Sequence, residues 1–112
     1  MINIPSLEIL AAHGAGDFIL QSQWMAANKL TNPLARLWHV VVYTACFIPT
    51  LAFSGLSVEQ LLLTLLLIAG PHYVLDSRRW ASGDIWPPKP IMVDQVLHLI
   101  HLALLMRWLS SL

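Results

Sequence analysis

Apolar residues gather into four runs along the 112-residue chain, at about 7–27, 37–56, 58–75 and 91–109, separated by short polar connectors. Each run is near the roughly 20 residues that a helix needs to cross the hydrocarbon layer of a membrane. The second is the cleanest, because no acidic or basic residue occurs between Arg36 and Glu59. The first, third and fourth each carry an aspartate, which a membrane span tolerates only on a face turned into a bundle or a wet cavity. The pattern predicts an all-α integral membrane four-helix bundle forming a single transmembrane domain over residues 1–112.

Composition points the same way. Hydrophobic residues make up 57% of the chain and charged residues 11%, whereas soluble domains are about 25% charged. The soluble alternative is a compact four-helix protein with a very apolar core, or one covered by a partner. Net charge is zero and the six basic residues form no tract, so an electrostatic nucleic-acid footprint is absent. Cys46, the single cysteine, lies in an apolar run and reads as an inert small hydrophobe. The N-terminal stretch lacks a positively charged leader region and an A-x-A-like cleavage site, so it is read as a retained first helix.

The connectors sort the charges. Lys29 and Arg36 flank the first; Arg78, Arg79 and Lys89 lie in or beside the third; the middle one has no basic residue, and only Arg107 lies at the opposite ends. The positive-inside rule then puts the first and third connectors in the cytoplasm and both termini outside it. Trp24, Trp38, Trp80 and Trp86 fall on the same basic side, as an interfacial aromatic belt would.

The histidines and aspartates follow a repeat. His13 and Asp17 are four apart, with His39 22 residues beyond; His72 and Asp76 are four apart, with His98 22 residues beyond, so the pattern recurs at an offset of 59. A helix puts residues i and i+4 on one face, so each pair presents two groups to one point and the third histidine arrives from the next helix. At similar depth the six side chains can converge. Two hairpins in the same orientation would be pseudo-symmetric about an axis along the membrane normal. Asp94, His98 and His101 form one stripe on the fourth helix.

Two histidines and a carboxylate form a three-ligand set that leaves coordination open for water, and two such sets can hold a pair of divalent metals. Zinc is favoured by the nitrogen-rich set, with manganese or iron also suited. The metal-ligand candidates are thus His13, Asp17, His39, His72, Asp76 and His98. Asp94 is the candidate general base or bridging ligand, and His101 would orient it or protonate a leaving group. Gln21 and Gln95 read as hydrogen-bonding neighbours. Gly14 and Gly16 would permit close helix approach, and Gly70-Pro71 would kink the third span.

The leading functional expectation is a metal-dependent hydrolase of lipid-like esters or phosphoesters at the cytoplasmic leaflet, with membrane lipid as partner and oligomers allowed. A cation or proton carrier or channel component would use the same groups, but should spread its polar residues through both halves of the membrane. A non-catalytic interaction protein would use them only to fix helix pairing and would bind no metal. Arg78, Arg79 and Lys89 serve as topology determinants, or bind a phosphate or lipid headgroup.

The segments HGAGDFILQSQWMAANK, His39 in the second span, HYVLD and VDQVLHLIH together resemble small bacterial and phage integral-membrane proteins grouped as domain of unknown function 3307. The matching positions are His13, Asp17, Gln21, Trp24, His39, His72, Asp76, Asp94, Gln95 and His98. The resemblance implies a membrane protein over nearly the whole chain and no particular activity. More distantly, the histidine and aspartate pattern is similar to membrane-bound metal-dependent hydrolases of bacterial inner membranes.

Overall fold

The structure is a computed structural model and describes residues 2–78 and 90–112. Arg79, Trp80, Trp86 and Lys89, which carry part of the charge and tryptophan asymmetry, lie outside the described residues. Among the described residues the regular structure is entirely helical: α1 (Ser6–Gly14), a π-helical turn (Ala15–Ile19), α2 (Gln23–Asn28), α3 (Pro33–Ala45), α4 (Ile48–Ala52), α5 (Val58–Asp76) and α6 (Pro90–Ser110).

Local chemistry explains the starts. Ser22 Oγ accepts from the Met25 amide at 3.2 Å to open α2, and Asn32 Oδ1 accepts from the Leu34 amide at 2.9 Å to open α3. Pro33 follows Asn32 in the first turn, where no amide hydrogen is needed. Ser57 and Gln60 form a reciprocal capping box at the start of α5.

The first two apolar runs are each interrupted. Residues 7–27 divide into α1, the π turn and α2; residues 37–56 divide into α3 and α4. Pro49 accounts for the second break: it lacks an amide hydrogen, and its ring would collide with the carbonyl four residues back, at Ala45, where α3 ends. The other two runs form continuous helices. Val58–Asp76 and Ile91–Ser110 are long and apolar enough to cross a membrane, and only 17% and 22% of their apolar windows are buried.

Burial runs opposite to that of a soluble bundle. Leu7, Ile19, Phe53, Val58 and Leu66 lie exposed, while His39, His72, Asp76, Asp94 and His98 are enclosed. The interior has two parts. Ile9, Phe47, Leu51, Ile68, Leu102, Leu105 and Leu109 belong to an apolar cluster, and the histidines and aspartates fill a polar one. The longest dimension, 45 Å, is close to the 40–45 Å of a bilayer with its headgroups.

α3 packs against the π turn, α2 and α5, and α5 packs against α6. The approach of the π turn to α3 needs Gly16: a Cβ there would lie 2.7 Å from Tyr43 Cδ2 and 2.9 Å from its Cα. Gly14 differs, since a Cβ would meet nothing within 4 Å, so only one of the two glycines serves close packing. Gly16→Ala should destabilise the protein by about 1–3 kcal/mol. Gly14→Ala should leave stability within about 1 kcal/mol of wild type or raise it. Thermal unfolding in one detergent checks both, and equal losses would remove the packing role of Gly16.

Candidate metal centre

Four atoms from three parts of the chain meet at the polar end. Asp17 leaves the π turn, His39 comes from α3, and His72 and Asp76 lie one turn apart on α5. His39 Nε2 is 3.0 Å from Asp17 Oδ1, 3.0 Å from Asp76 Oδ2 and 3.1 Å from His72 Nε2. His72 Nε2 is 3.2 Å from Asp76 Oδ2 and 3.5 Å from Asp17 Oδ1. Zinc binds imidazole and carboxylate at about 2.0–2.2 Å, so the edges of its ligand tetrahedron are roughly 3.3–3.6 Å. The measured separations are at or slightly inside that length. Five of the six edges of such a tetrahedron are thus accounted for, and the four residues together form one group able to hold a metal ion.

A second group comprises Asp76, Asp94 and His98. His98 Nε2 is 3.1 Å from Asp76 Oδ1 and 3.3 Å from Asp94 Oδ1. Asp76 therefore spans both groups, with Oδ2 in the first and Oδ1 in the second. The shared carboxylate is Asp76, and the expected bridge Asp94 stands at the edge of the second group. Four ligands would close the first site, whereas three leave the second with an open position of the kind catalytic metal sites keep.

The site carries excess acceptors. Asp17, Asp76 and Asp94 are each at most 2% exposed. Asp76 Oδ2 and Asp94 Oδ1 have no hydrogen-bond partner among the described residues, although both face histidine nitrogens. Lys29 Nζ lies 3.7 Å from Asp76 Oδ2 and Arg78 Nε 3.9 Å from Asp94 Oδ1. With the histidines neutral, as metal ligation requires, the three carboxylates exceed the two cations, and a divalent ion would offset the difference.

Ring packing holds the histidines. The Tyr43 ring stacks on His72 with centroids 3.6 Å apart and planes 13° from parallel, and the His72 and His98 rings are 4.2 Å apart. Nδ1 of His39, His72 and His98 meets no hydrogen-bond partner among the described residues. Their orientation comes from stacking and from the carboxylates at Nε2.

His13 stands outside both groups. Its Nε2 is 3.8 Å from Asp17 Oδ2 but 2.9 Å from Gln95 Oε1, while its Nδ1 is 2.8 Å from the Tyr43 hydroxyl. Gln95 Nε2 donates to Asp17 Oδ2 at 3.1 Å. Carboxylates only accept, so the amide must face Asp17 with nitrogen and His13 with oxygen. His13 Nε2 then carries the hydrogen, Nδ1 accepts, and Tyr43 donates. A directed chain runs Tyr43 to His13 to Gln95 to Asp17 and steadies the carboxylate it ends on.

His101 is also separate from the cluster. Its Nε2 lies 2.9 Å from the Leu67 carbonyl oxygen, which must accept. Leu67 is four residues before Pro71, and Pro71 has no amide hydrogen to complete that rung of α5. His101 supplies the missing donor from α6. The geometry gives it a backbone-satisfying place in the fold and leaves the expected acid role without a contact to Asp94.

Sequence reasoning passed over Lys29 and Tyr43 as site residues. Tyr43 was detectable, since it follows His39 by four positions and shares its helical face. Lys29 had no signal, because its position depends on a fold of the connector. Gln21, expected to hydrogen-bond, donates to the Asp17 backbone oxygen at 3.0 Å.

Fold and site together define an all-helical protein with two membrane-length helices and a buried His/Asp cluster able to hold metal. The chain belongs to the family described as Protein of unknown function (DUF3307), whose model matches residues 6–112. Neither the curated proteins nor the solved structures contain a match to it.

The Pro71 arrangement is testable by a double-mutant cycle. His101→Ala should cost about 1–3 kcal/mol with Pro71 present, because a buried carbonyl loses its donor. It should cost clearly less in a Pro71→Ala background, where the helix regains its own amide. Unfolding midpoints of the four proteins measure the coupling, and strict additivity would remove it.

Proposed function

We propose that this chain is a multi-pass inner-membrane protein carrying a two-metal His/Asp centre, and that it hydrolyses a lipid-like ester or phosphoester near the cytoplasmic leaflet. The observation that carries this reading is the spacing of Asp17 Oδ1, His39 Nε2, His72 Nε2 and Asp76 Oδ2, which matches the edges of a metal tetrahedron.

Several features support the membrane part. Apolar side chains face outward and the polar ones inward, as expected where lipid replaces water as solvent. The interrupted first and second runs would cross as broken helices, tolerated where freed backbone groups are buried in protein. In this arrangement both termini lie outside the cytoplasm.

For the chemistry, a bound divalent ion would acidify a water and polarise the ester oxygen. Zinc suits the two imidazoles and two carboxylates of the first group, as manganese or iron also would. Asp94, with an unpartnered oxygen beside the open second group, takes the proton of the attacking water. The Gln95 amide lies 3.4 Å from the other Asp94 oxygen and sets its direction. An apolar groove of about 700 Å3 between α1 and α6, lined in part by Leu10, Leu99, Leu102 and Met106, suits the acyl part of a lipid.

Metal analysis of detergent-purified protein tests the centre. Wild type should hold about two divalent ions per chain, and a His39→Ala/His98→Ala double variant should hold neither stoichiometrically. Wild type without metal removes the proposal. Hydrolysis of membrane lipids and phosphoesters tests the activity: Asp94→Asn should keep the first ion and lose turnover by at least about 100-fold. Metal-loaded protein with no turnover on either substrate class removes the hydrolase. For orientation, alkaline phosphatase fused to the C-terminus should be active, as it is only outside the cytoplasm; an inactive fusion reverses the topology.

A further inference from the structure

Lys29 is a lysine in an unusual position. A cation that served only to orient helices would extend its amine into the headgroup layer. Lys29 is instead only 9% exposed and reaches inward to within 3.7 Å of Asp76 Oδ2. It is held there by backbone. Arg36, itself 8% exposed, donates from Nε to the Lys29 carbonyl and from Nη2 to the Leu30 carbonyl, both at 2.9 Å. The Arg36 guanidinium in turn lies over the Tyr73 ring, 4.9 Å from its centre, next to His72. A buried arginine thus clamps the connector to α3 and α5 and fixes the direction of the lysine.

Arg78 stands beside the second group. It has a left-handed backbone, φ 52°, a conformation that costs a non-glycine residue about 1 kcal/mol or more, and its Nε lies 3.9 Å from Asp94 Oδ1. Each candidate metal group therefore has one cation beside it. Neither distance is that of a committed charge-assisted hydrogen bond, which is about 2.7–2.9 Å, and Arg78 Nε has no hydrogen-bond partner among the described residues. The two side chains are 11% and 22% exposed against 1% for the carboxylates they face, so they stand between the cluster and the surface.

We infer that Lys29 and Arg78 form the anion-receiving wall of the site and that the substrate carries a phosphoryl group. This rests on the metal reading above. With Asp76 Oδ2 engaged by metal and Asp94 Oδ1 by the attacking water, the two cations would lose their carboxylate partners, Lys29 beside the first group and Arg78 beside the open second one. A carboxylic ester has no charge for them to meet. A phosphoester has, and both cation types bind phosphate oxygens, arginine as a fork and lysine as a point charge. In the hydrolysis, the water oxygen bonds to phosphorus as the ester P–O bond breaks; the departing alcohol oxygen gains a proton and the phosphate retains the water oxygen. Lys29 and Arg78 hold the non-reacting phosphoryl oxygens throughout.

The test uses the full chain, metal-loaded, in nanodiscs of a zwitterionic lipid, with inorganic phosphate as probe and phosphorus NMR or calorimetry as readout. Wild type should bind phosphate. Lys29→Gln and Arg78→Gln should each weaken it roughly 10- to 100-fold while holding as much metal as wild type, and Lys29→Arg should recover most of the loss. A second arm replaces part of the lipid with phosphatidic acid. Loss of soluble phosphate binding through competition by that lipid identifies a lipid headgroup as the source, whereas no competition identifies a free phosphate compound; both support the inference. Metal-loaded wild type that binds phosphate in neither form, or variants that bind it like wild type, overturns the inference alone. A chain that takes up no metal overturns the metal reading and this one with it.

Discussion

Three carboxylates crowded into the interior of a protein with an apolar exterior are the constraint to which the rest of the structure answers. Moving one such charge out of water costs several kcal/mol even after relaxation, and Asp17, Asp76 and Asp94 are all essentially inaccessible. Each compensating device is visible. Histidine nitrogens face every one of them, Gln95 donates to two, and Lys29 and Arg78 approach the oxygens left over. The π turn brings Asp17 inward, and Gly16 is bare so that this turn can lie against Tyr43. Outside this cluster the helices have little polar surface to satisfy.

Backbone irregularity is handled with the same economy. Pro71 leaves a carbonyl unpaired inside α5, and His101 from α6 completes it. That exchange ties the two membrane-length helices together just beyond the level at which His72, Asp76 and His98 converge. A histidine on the same stripe as Asp94 and His98 thus serves the backbone, while His98 serves the cluster. Position on a helical face is common to both; the partner across the interface separates them.

The repeat written in the sequence survives as pair geometry and fails as full symmetry. Asp17 to His39 and Asp76 to His98 are equivalent contacts, 3.0 and 3.1 Å. His72 then joins the first group, whereas its counterpart His13 turns to Gln95 and Tyr43. Asp94, which has no counterpart in the first half, stands beside His98 instead. The outcome is one group of four and one of three sharing Asp76, an asymmetry that suits a closed site beside an open one.

The sequence by itself determined the helical class, the two long apolar helices, and the set of residues that must be sheltered, because periodicity and the cost of burying charge are local properties that need no knowledge of neighbours. It also paired Asp17 and Asp76 each with the histidine 22 residues on. The tertiary structure alone decided which members share a ligand point. Asp76 spans two groups because its two oxygens face different helices, His13 is diverted by a glutamine 82 residues away, and Lys29 turns inward because Arg36 holds its connector. Those outcomes depend on distances across interfaces, and spacing along a chain carries no record of which side chain lies opposite. The breaks at Leu20–Ser22 and Cys46–Phe47 fall between these cases: Pro49 is legible as a breaker, but the π turn that ends the first run is set by its packing on α3.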